Sequence, residues 1–139
     1  MVWGEGFASW LRQNQPEHLR LGRLGERAAK RNLKQAGLKF LYANFKGKQG
    51  GIDLVFREGK VLVFVDVKAR SSESGIRPAA AVNAAKQRRI VATAREYVRM
   101  LPKGEVSIRF DIVEVLLEDG RVGEVRHQPN AFAPARSHR

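Results

Sequence analysis

The segment Val61-Leu-Val-Phe-Val-Asp-Val-Lys68 is almost wholly β-branched or aromatic, yet Asp66 and Lys68 sit near its end. Such a run reads as a central strand covered on both faces. A third charge, Asp53, interrupts the preceding apolar stretch Gly51-Ile-Asp-Leu-Val55. Ionic groups inside a sheet are costly unless they pair with one another or hold a metal. A fold organised around these two strands must therefore find partners for three charges.

Glu58-Gly59 predicts a tight turn between strands Ile52–Arg57 and Lys60–Lys68. With Arg57 facing Lys60, Asp53 falls opposite Phe64 and Asp66 becomes its diagonal neighbour, Cβ atoms about 7 Å apart. Alternation turns Lys68 to the same side as Asp66. This geometry holds only if the register does not slip by one residue. Two carboxylates so placed can share one divalent ion, and oxygen ligands favour Mg²⁺ or Mn²⁺. An ion, its water and an adjacent ammonium suit hydrolysis of a phosphodiester. Acyl transfer fits poorly, because no histidine accompanies a nucleophile. Spacing alone is equally compatible with a structural ion cluster.

Charge points the same way. Lys and Arg number 26 against 14 Asp and Glu, for a net charge of +12. On a folded domain such a surplus favours a polyanionic partner, nucleic acid first, over a surface merely tuned for solubility. Membranes are disfavoured, because no stretch approaches the ~20 apolar residues of a span and no long amphipathic helix shows a basic rim. Met1–Gln15 lacks a secretory pattern, so the expected compartment is the cytoplasm. The absence of cysteine excludes disulfides and thiolate zinc sites, and His18, His127 and His138 offer no metal-ligand spacing.

The 139 residues suit a single domain. Residues 1–20 read as an appendage in which Trp3, Phe7, Trp10 and Leu11 mark a short sticky helix. The domain proper is expected over 21–127. A helix starts at Leu21 and ends at Gly37, a natural C′ residue. Leu38–Phe45 is a strand, Lys46–Gly51 a basic loop, and the hairpin follows. Ala69–Pro78 reads as a loop, and Pro78 opens a helix reaching Met100. Glu105–Leu117 and Arg121–His127 complete the strands, leaving 128–139 as a tail. The expected fold is α/β: an antiparallel three-strand meander, a crossover helix, and a fourth strand parallel to the third.

Gly51-Ile-Asp-Leu-Val55 followed by Val63-Phe-Val-Asp-Val-Lys-Ala-Arg70 resembles the PD-(D/E)xK nuclease superfamily, which has a restriction-endonuclease-like core. More narrowly, the chain resembles the small bacterial YraN family, similar to archaeal Holliday-junction resolvases. Leu21-Gly-Arg-Leu-Gly-Glu-Arg-Ala28, Asn44, Lys86 and Arg109-Phe-Asp-Ile-Val113 carry the likeness from about Leu21 to Leu117. The resemblance implies a Mg²⁺-dependent endonuclease acting on DNA rather than RNA, on branched or structured DNA, with a homodimer as the assembly. It makes Asp53, Asp66 and Glu26 metal ligands, Lys68 the catalytic lysine, and Lys86 a polar group approaching from the second helix. One departure matters: family members carry Glu two residues before Asp53, where this chain has Gly51. That loss keeps open a second reading, a nucleic-acid-binding protein that retains the scaffold but not efficient chemistry.

The residues alone leave Glu26 open to an ordinary solvated role and Lys86 to a lysine lying along a core edge. Lys46, Lys48, Arg70, Arg77, Arg88 and Arg89 are candidate phosphate contacts. Arg70 and Arg77 stand out because they bracket the Ser-rich loop after Lys68. Asp111 reads as a strand pairing partner, and Trp3 and Trp10 as a hydrophobic cap, a dimer contact or a docking element for a protein.

Overall fold

The computed structural model describes residues 17–71, 82–102 and 106–134. Among these residues two helices, α1 (Glu17–Gln35) and α2 (Ala84–Arg99), enclose a five-stranded sheet. Its strands are β1 (Lys39–Gly47), β2 (Gly50–Glu58), β3 (Val61–Ser71), β4 (Ser107–Glu118) and β5 (Arg121–Phe132). Spatial order follows chain order; β3 and β4 are parallel and the other neighbours antiparallel. This is the expected α/β arrangement, consistent with a restriction-endonuclease-like core.

Alternation along β3 builds the two cores. Val63 and Val65 pack beneath α1 with Ala29, Leu33, Leu54 and Phe56. Leu62 and Phe64 pack beneath α2 with Val55, Ile90, Ala94 and Phe110. Fully burying a side chain of this size is worth roughly 1.5–3 kcal/mol, so the doubly covered β3 anchors the fold. Helix α1 ends as its sequence requires: Gly37 adopts φ 95°, and the N–H groups of Gly37 and Leu38 donate to the carbonyls of Lys34 and Leu33. Against the sheet, α1 approaches so closely that a methyl at Gly25 would come 2.6 Å from Ala69 Cβ.

Several boundaries differ from the sequence reading. Helix α1 starts at Glu17, four residues before the expected Leu21. The basic loop shrinks to a Lys48-Gln49 turn because β1 and β2 extend into it. Ala69–Ser71 continue β3, since β4 offers a parallel partner as far as Leu117. Residues 128–132 are not tail but strand, and Phe132 stacks on Phe110 with ring centroids 5.0 Å apart. That apolar contact is what local sequence could not reveal. Helix α2 begins at Ala84 behind an Asn83 N-cap, with Pro78 outside the described residues. The expected N-terminal helix and its tryptophans also lie outside them.

The hairpin register is shifted from the expected one. Glu58 pairs with Val61 and Leu54 with Val65, so Gly59-Lys60 form the turn. The displacement is two residues, an even number, which preserves the facing of side chains. Carried one step beyond the last pair, it sets Asp53 across from Asp66 instead of Phe64.

Candidate metal and phosphate site

The pleat breaks at Asp53. Leu54 packs on the α1 side, whereas Val55 and Ile52, an odd number of residues apart, both pack on the α2 side. Strand β1 turns with it: Ala43 pairs with Leu54 and Phe45 with Ile52, while Asn44 between them adopts φ 55°. Asparagine tolerates that left-handed conformation better than most residues. Beyond Leu54 the β2–β3 ladder stops, and Val67 N–H donates to Asp53 Oδ2 at 2.7 Å. A side-chain carboxylate thus stands where a main-chain acceptor would be.

Asp66 is buried on the α2 side of β3. Lys86 Nζ lies 3.1 Å from its Oδ1, and Lys68 Nζ 3.7 Å from its Oδ2. Asp66 Oδ2 is buried and has no hydrogen-bond partner among the described residues. Asn83 Oδ1 accepts Lys86 N–H at 2.8 Å, so the α2 cap fixes the backbone that carries this lysine. Glu26 comes from the other layer: with Leu21, Gly22, Val67 and Arg70 it lines a cavity of about 350 Å³ that Asp53 enters.

Electrostatics follow from this crowding. Burial pushes the Asp53 carboxyl up to about 6, reinforced by Asp66 and Glu26 and opposed by the Val67 N–H and Lys86. Burial also lowers Lys68, and the neighbouring Lys86 amine adds to that, against the pull of Asp66. For Lys86, burial opposes the charge but is outweighed by the Lys68 amine and the Asp66 carboxylate, so it is raised. Two adjacent amines thus share the pull of one carboxylate, with burial opposing the charge on each.

The sequence-derived candidates thus separate into groups. Asp53, Asp66, Lys68 and Lys86 converge, although Asp53 reaches in from the broken end of β2 and not from a shared face. Glu26 and Arg70 line a cavity with Asp53 on the α1 side, one that Asp66, Lys68 and Lys86 do not line, and Arg70 donates to the Ala69 carbonyl. Lys48 lies elsewhere: its N–H donates to Glu96 Oε2 at 2.9 Å, far along α2 from Lys86. Lys46, Arg88 and Arg89 are exposed on β1 and early α2. Arg77 lies outside the described residues. Among those residues, no three Asp, Glu or His side chains gather closely enough to enclose an ion. A hard cation would find two carboxylates here, one with an orphaned oxygen, and would complete its shell with water and phosphate oxygens. That is the usual habit of Mg²⁺, so the donor set fits.

Two features escaped the sequence reading. Glu114 is buried on β4, in register with Lys68 on one side and Arg126 on the other, and its Oε1 has no partner among the described residues. Asp111, fully buried, accepts two hydrogen bonds from Arg109 at 2.8 and 2.9 Å and one from the Asn130 N–H. His127 Nε2 lies 2.7 Å from its Oδ2. Burial pushes Asp111 up, but Arg109, Asn130 and His127 together hold it below the ordinary carboxylate range. The spacing Arg109-x-Asp111 was a visible signal; the long-range partner His127 was not.

Comparison with known proteins shows the family of this chain. The family model described as "Uncharacterised protein family UPF0102" matches residues 25–115, which include both aspartates and both lysines. The chain belongs to the UPF0102 family. A UPF0102 protein of Rhodococcus opacus (strain B4) is 37% identical over 115 residues, covering 83% of this chain and 98% of its own. Another, from Symbiobacterium thermophilum, is 41% identical over 115 residues, covering 81% and 96%. A third, from Coxiella burnetii (strain RSA 493 / Nine Mile phase I), is 40% identical over 97 residues, covering 69% and 81%. Among the described residues of this UPF0102 protein, no helix is long and apolar enough to cross a membrane.

Proposed function

We propose that this UPF0102 protein is a divalent-metal-dependent endonuclease acting on DNA, with branched or structured DNA as the substrate class. The observation that carries the reading is Asp66: a buried carboxylate with an orphaned oxygen, across from Asp53 and touched by two lysines. A purely structural ion cluster would be expected to satisfy both oxygens, since a half-satisfied buried network is destabilising. Asp53 and Asp66 would hold the ion, and Glu26, which lines the Asp53 cavity from α1, would reach it only through a bound water. Mg²⁺ or Mn²⁺ bound there supplies charge neutralisation at the phosphate and a water of lowered pKa. Lys86 remains cationic and stabilises charge developing on the phosphate oxygens. Lys68, 3.7 Å from Asp66 Oδ2, hydrogen-bonds to the attacking water and orients it. Arg70 at the cavity rim contacts the phosphate backbone, and +12 of net charge raises the encounter rate with DNA.

The test is incubation of purified protein with branched, single-stranded and duplex DNA in Mg²⁺ or Mn²⁺. Cleavage that disappears in Lys68→Ala and in EDTA supports the reading; equal cleavage by wild type and variant rejects it as contamination. One observation favours a second reading. Gly51 is exposed at the start of β2 and supplies no third carboxylate. A weakly catalytic or inactive DNA-binding protein would bind DNA while taking up no divalent ion at millimolar concentration.

A further inference from the structure

From Arg20 to Lys34 the sequence holds six cations, Arg20, Arg23, Arg27, Lys30, Arg31 and Lys34, against one acid, Glu26. At 3.6 residues per turn these six fall within about a third of the helix circumference, on the side of α1 turned away from Ala29 and Leu33. An amphipathic helix needs only a polar outer face; it does not need that face to be of one sign. One acid, Glu26, stands at i,i+4 to Lys30, so the sequence places five more cations on the crest than acids beside it.

The surroundings add a second observation. On the flank opposite Glu26, α1 and β5 leave an open groove of about 330 Å³. Arg27, Arg31 and the amides of Asn32 and Gln35 line it, over Leu24 and Val122. Val122 is 42% exposed, so the groove floor lies open to an incoming molecule. On the other side of the crest, Lys30 Nζ sits 3.8 Å from the Phe40 ring centroid and Lys34 Nζ 5.7 Å. Those cation–π contacts hold the two ammonium groups at the surface without neutralising them. Cations with guanidinium forks, flanking amides and a partly apolar floor match a phosphodiester backbone with its sugars.

We infer that the outer crest of α1 and the Arg27–Arg31 groove beside it form a second nucleic-acid-binding surface, which carries a duplex arm away from the Asp53–Asp66 site. This rests on the proposed nuclease reading for what lies at the site, but the surface is separate from it. Arg20 to Lys34 spans about 21 Å, a length over which duplex DNA presents about a dozen phosphates. Because Glu26 lies on one flank and the groove on the other, a duplex crossing α1 reaches the site by one end only. Substrates with an extended arm beside the scissile phosphate are therefore held better than short ones.

The experiment measures binding of a fluorescent DNA duplex in EDTA across a salt series, for wild type, Arg27→Gln/Arg31→Gln and Lys30→Gln/Lys34→Gln. Each double variant should bind at least about tenfold more weakly at low salt and reduce the slope of log K against log[salt] by about 1.8, about 0.9 per lost phosphate contact. All four side chains lie at the surface, and a thermal melt checks that the variants fold. Unchanged slopes in both variants overturn the inference, whatever the cleavage assay shows. Loss of slope with retained Lys68-dependent cleavage of a short substrate supports the surface and the site separately. Absence of Lys68-dependent cleavage with a reduced slope rejects the nuclease reading and leaves the surface standing. Capture of the protein by phosphatidylserine vesicles, with no binding to duplex, would identify the crest as a lipid contact and overturn it.

Discussion

Lys86 Nζ stands 3.1 Å from Asp66 Oδ1, nearer than Lys68 Nζ at 3.7 Å on the other oxygen. The residue that follows Asp66 by two along its own strand is thus not its closest cation. That place belongs to the crossover helix, whose first turn is pinned by Asn83. Charge balance at the site therefore depends on β3 and α2 together.

Removing each lysine should have different consequences. Lys86→Ala deprives a buried carboxylate of its nearest cation, so metal-free protein should lose about 1–3 kcal/mol of stability, with Mn²⁺ restoring part of it. Lys68→Ala should change stability less and abolish any divalent-dependent cleavage by about 10²-fold or more. Denaturant melts with and without Mn²⁺, alongside the cleavage assay, separate the two.

Asp53 sets a pH dependence with a definite sign. Its carboxyl is raised from 3.8 to about 6 in the folded protein, so folding favours the protonated form. The associated stability is complete below pH ~4 and is lost as pH rises through ~6, by no more than about 3 kcal/mol. Asp53→Asn should remove this slope between pH 4 and 7 in EDTA. Mn²⁺ should raise the melting temperature of wild type increasingly above pH 6, because metal and proton compete for the carboxylate. Identical pH profiles for the two proteins would refute this.

Asp111 carries the opposite sign. Its carboxyl is held below the usual range, so its stabilisation is present above pH ~4 and fades as pH falls through the folded value. Asp111→Ala would leave Arg109 Nε and Nη2 and the Asn130 N–H without their acceptor, while Arg109 Nη1 keeps Glu58, and should cost about 1–3 kcal/mol in a denaturant melt at pH 7.

Gly25 tests how closely α1 must lie. A Cβ there meets Ala69 Cβ at 2.6 Å, well inside contact distance. Gly25→Ala should destabilise by about 1–3 kcal/mol through overpacking, and adding Ala69→Gly should recover most of the loss. A double variant no more stable than the single would show that the contact is not limiting.

Much of this was legible in the chain because it is written locally. The apolar run before Asp66 gives a doubly covered strand, Gly37 closes the first helix, and strand parity puts Lys68 beside Asp66. The even register shift spared that parity, so the wrong turn still gave the right facing. What resisted reading was non-local. The break at Asp53 requires Asn44 on the neighbouring strand to flip with it. Residues 128–132 become strand only because Phe110 waits beneath Phe132, and Glu114 and His127 acquire meaning only across the sheet. Lys86 was readable as sheet-facing, but its 3.1 Å contact depends on how α2 crosses.

The turn between β1 and β2 is clasped by Glu96: Lys48 donates its N–H to that carboxylate, and a methyl on Gly47 would overlap it. Helix α2 is thereby fastened at its far end to the hairpin whose other arm bears Asp53, while its near end presents Lys86. Carboxylate and ammonium arrive on separate segments, yet a single buckle joins the two. A ligand that pried open that clasp would loosen the Asp53–Lys86 cluster without touching any of its charged groups.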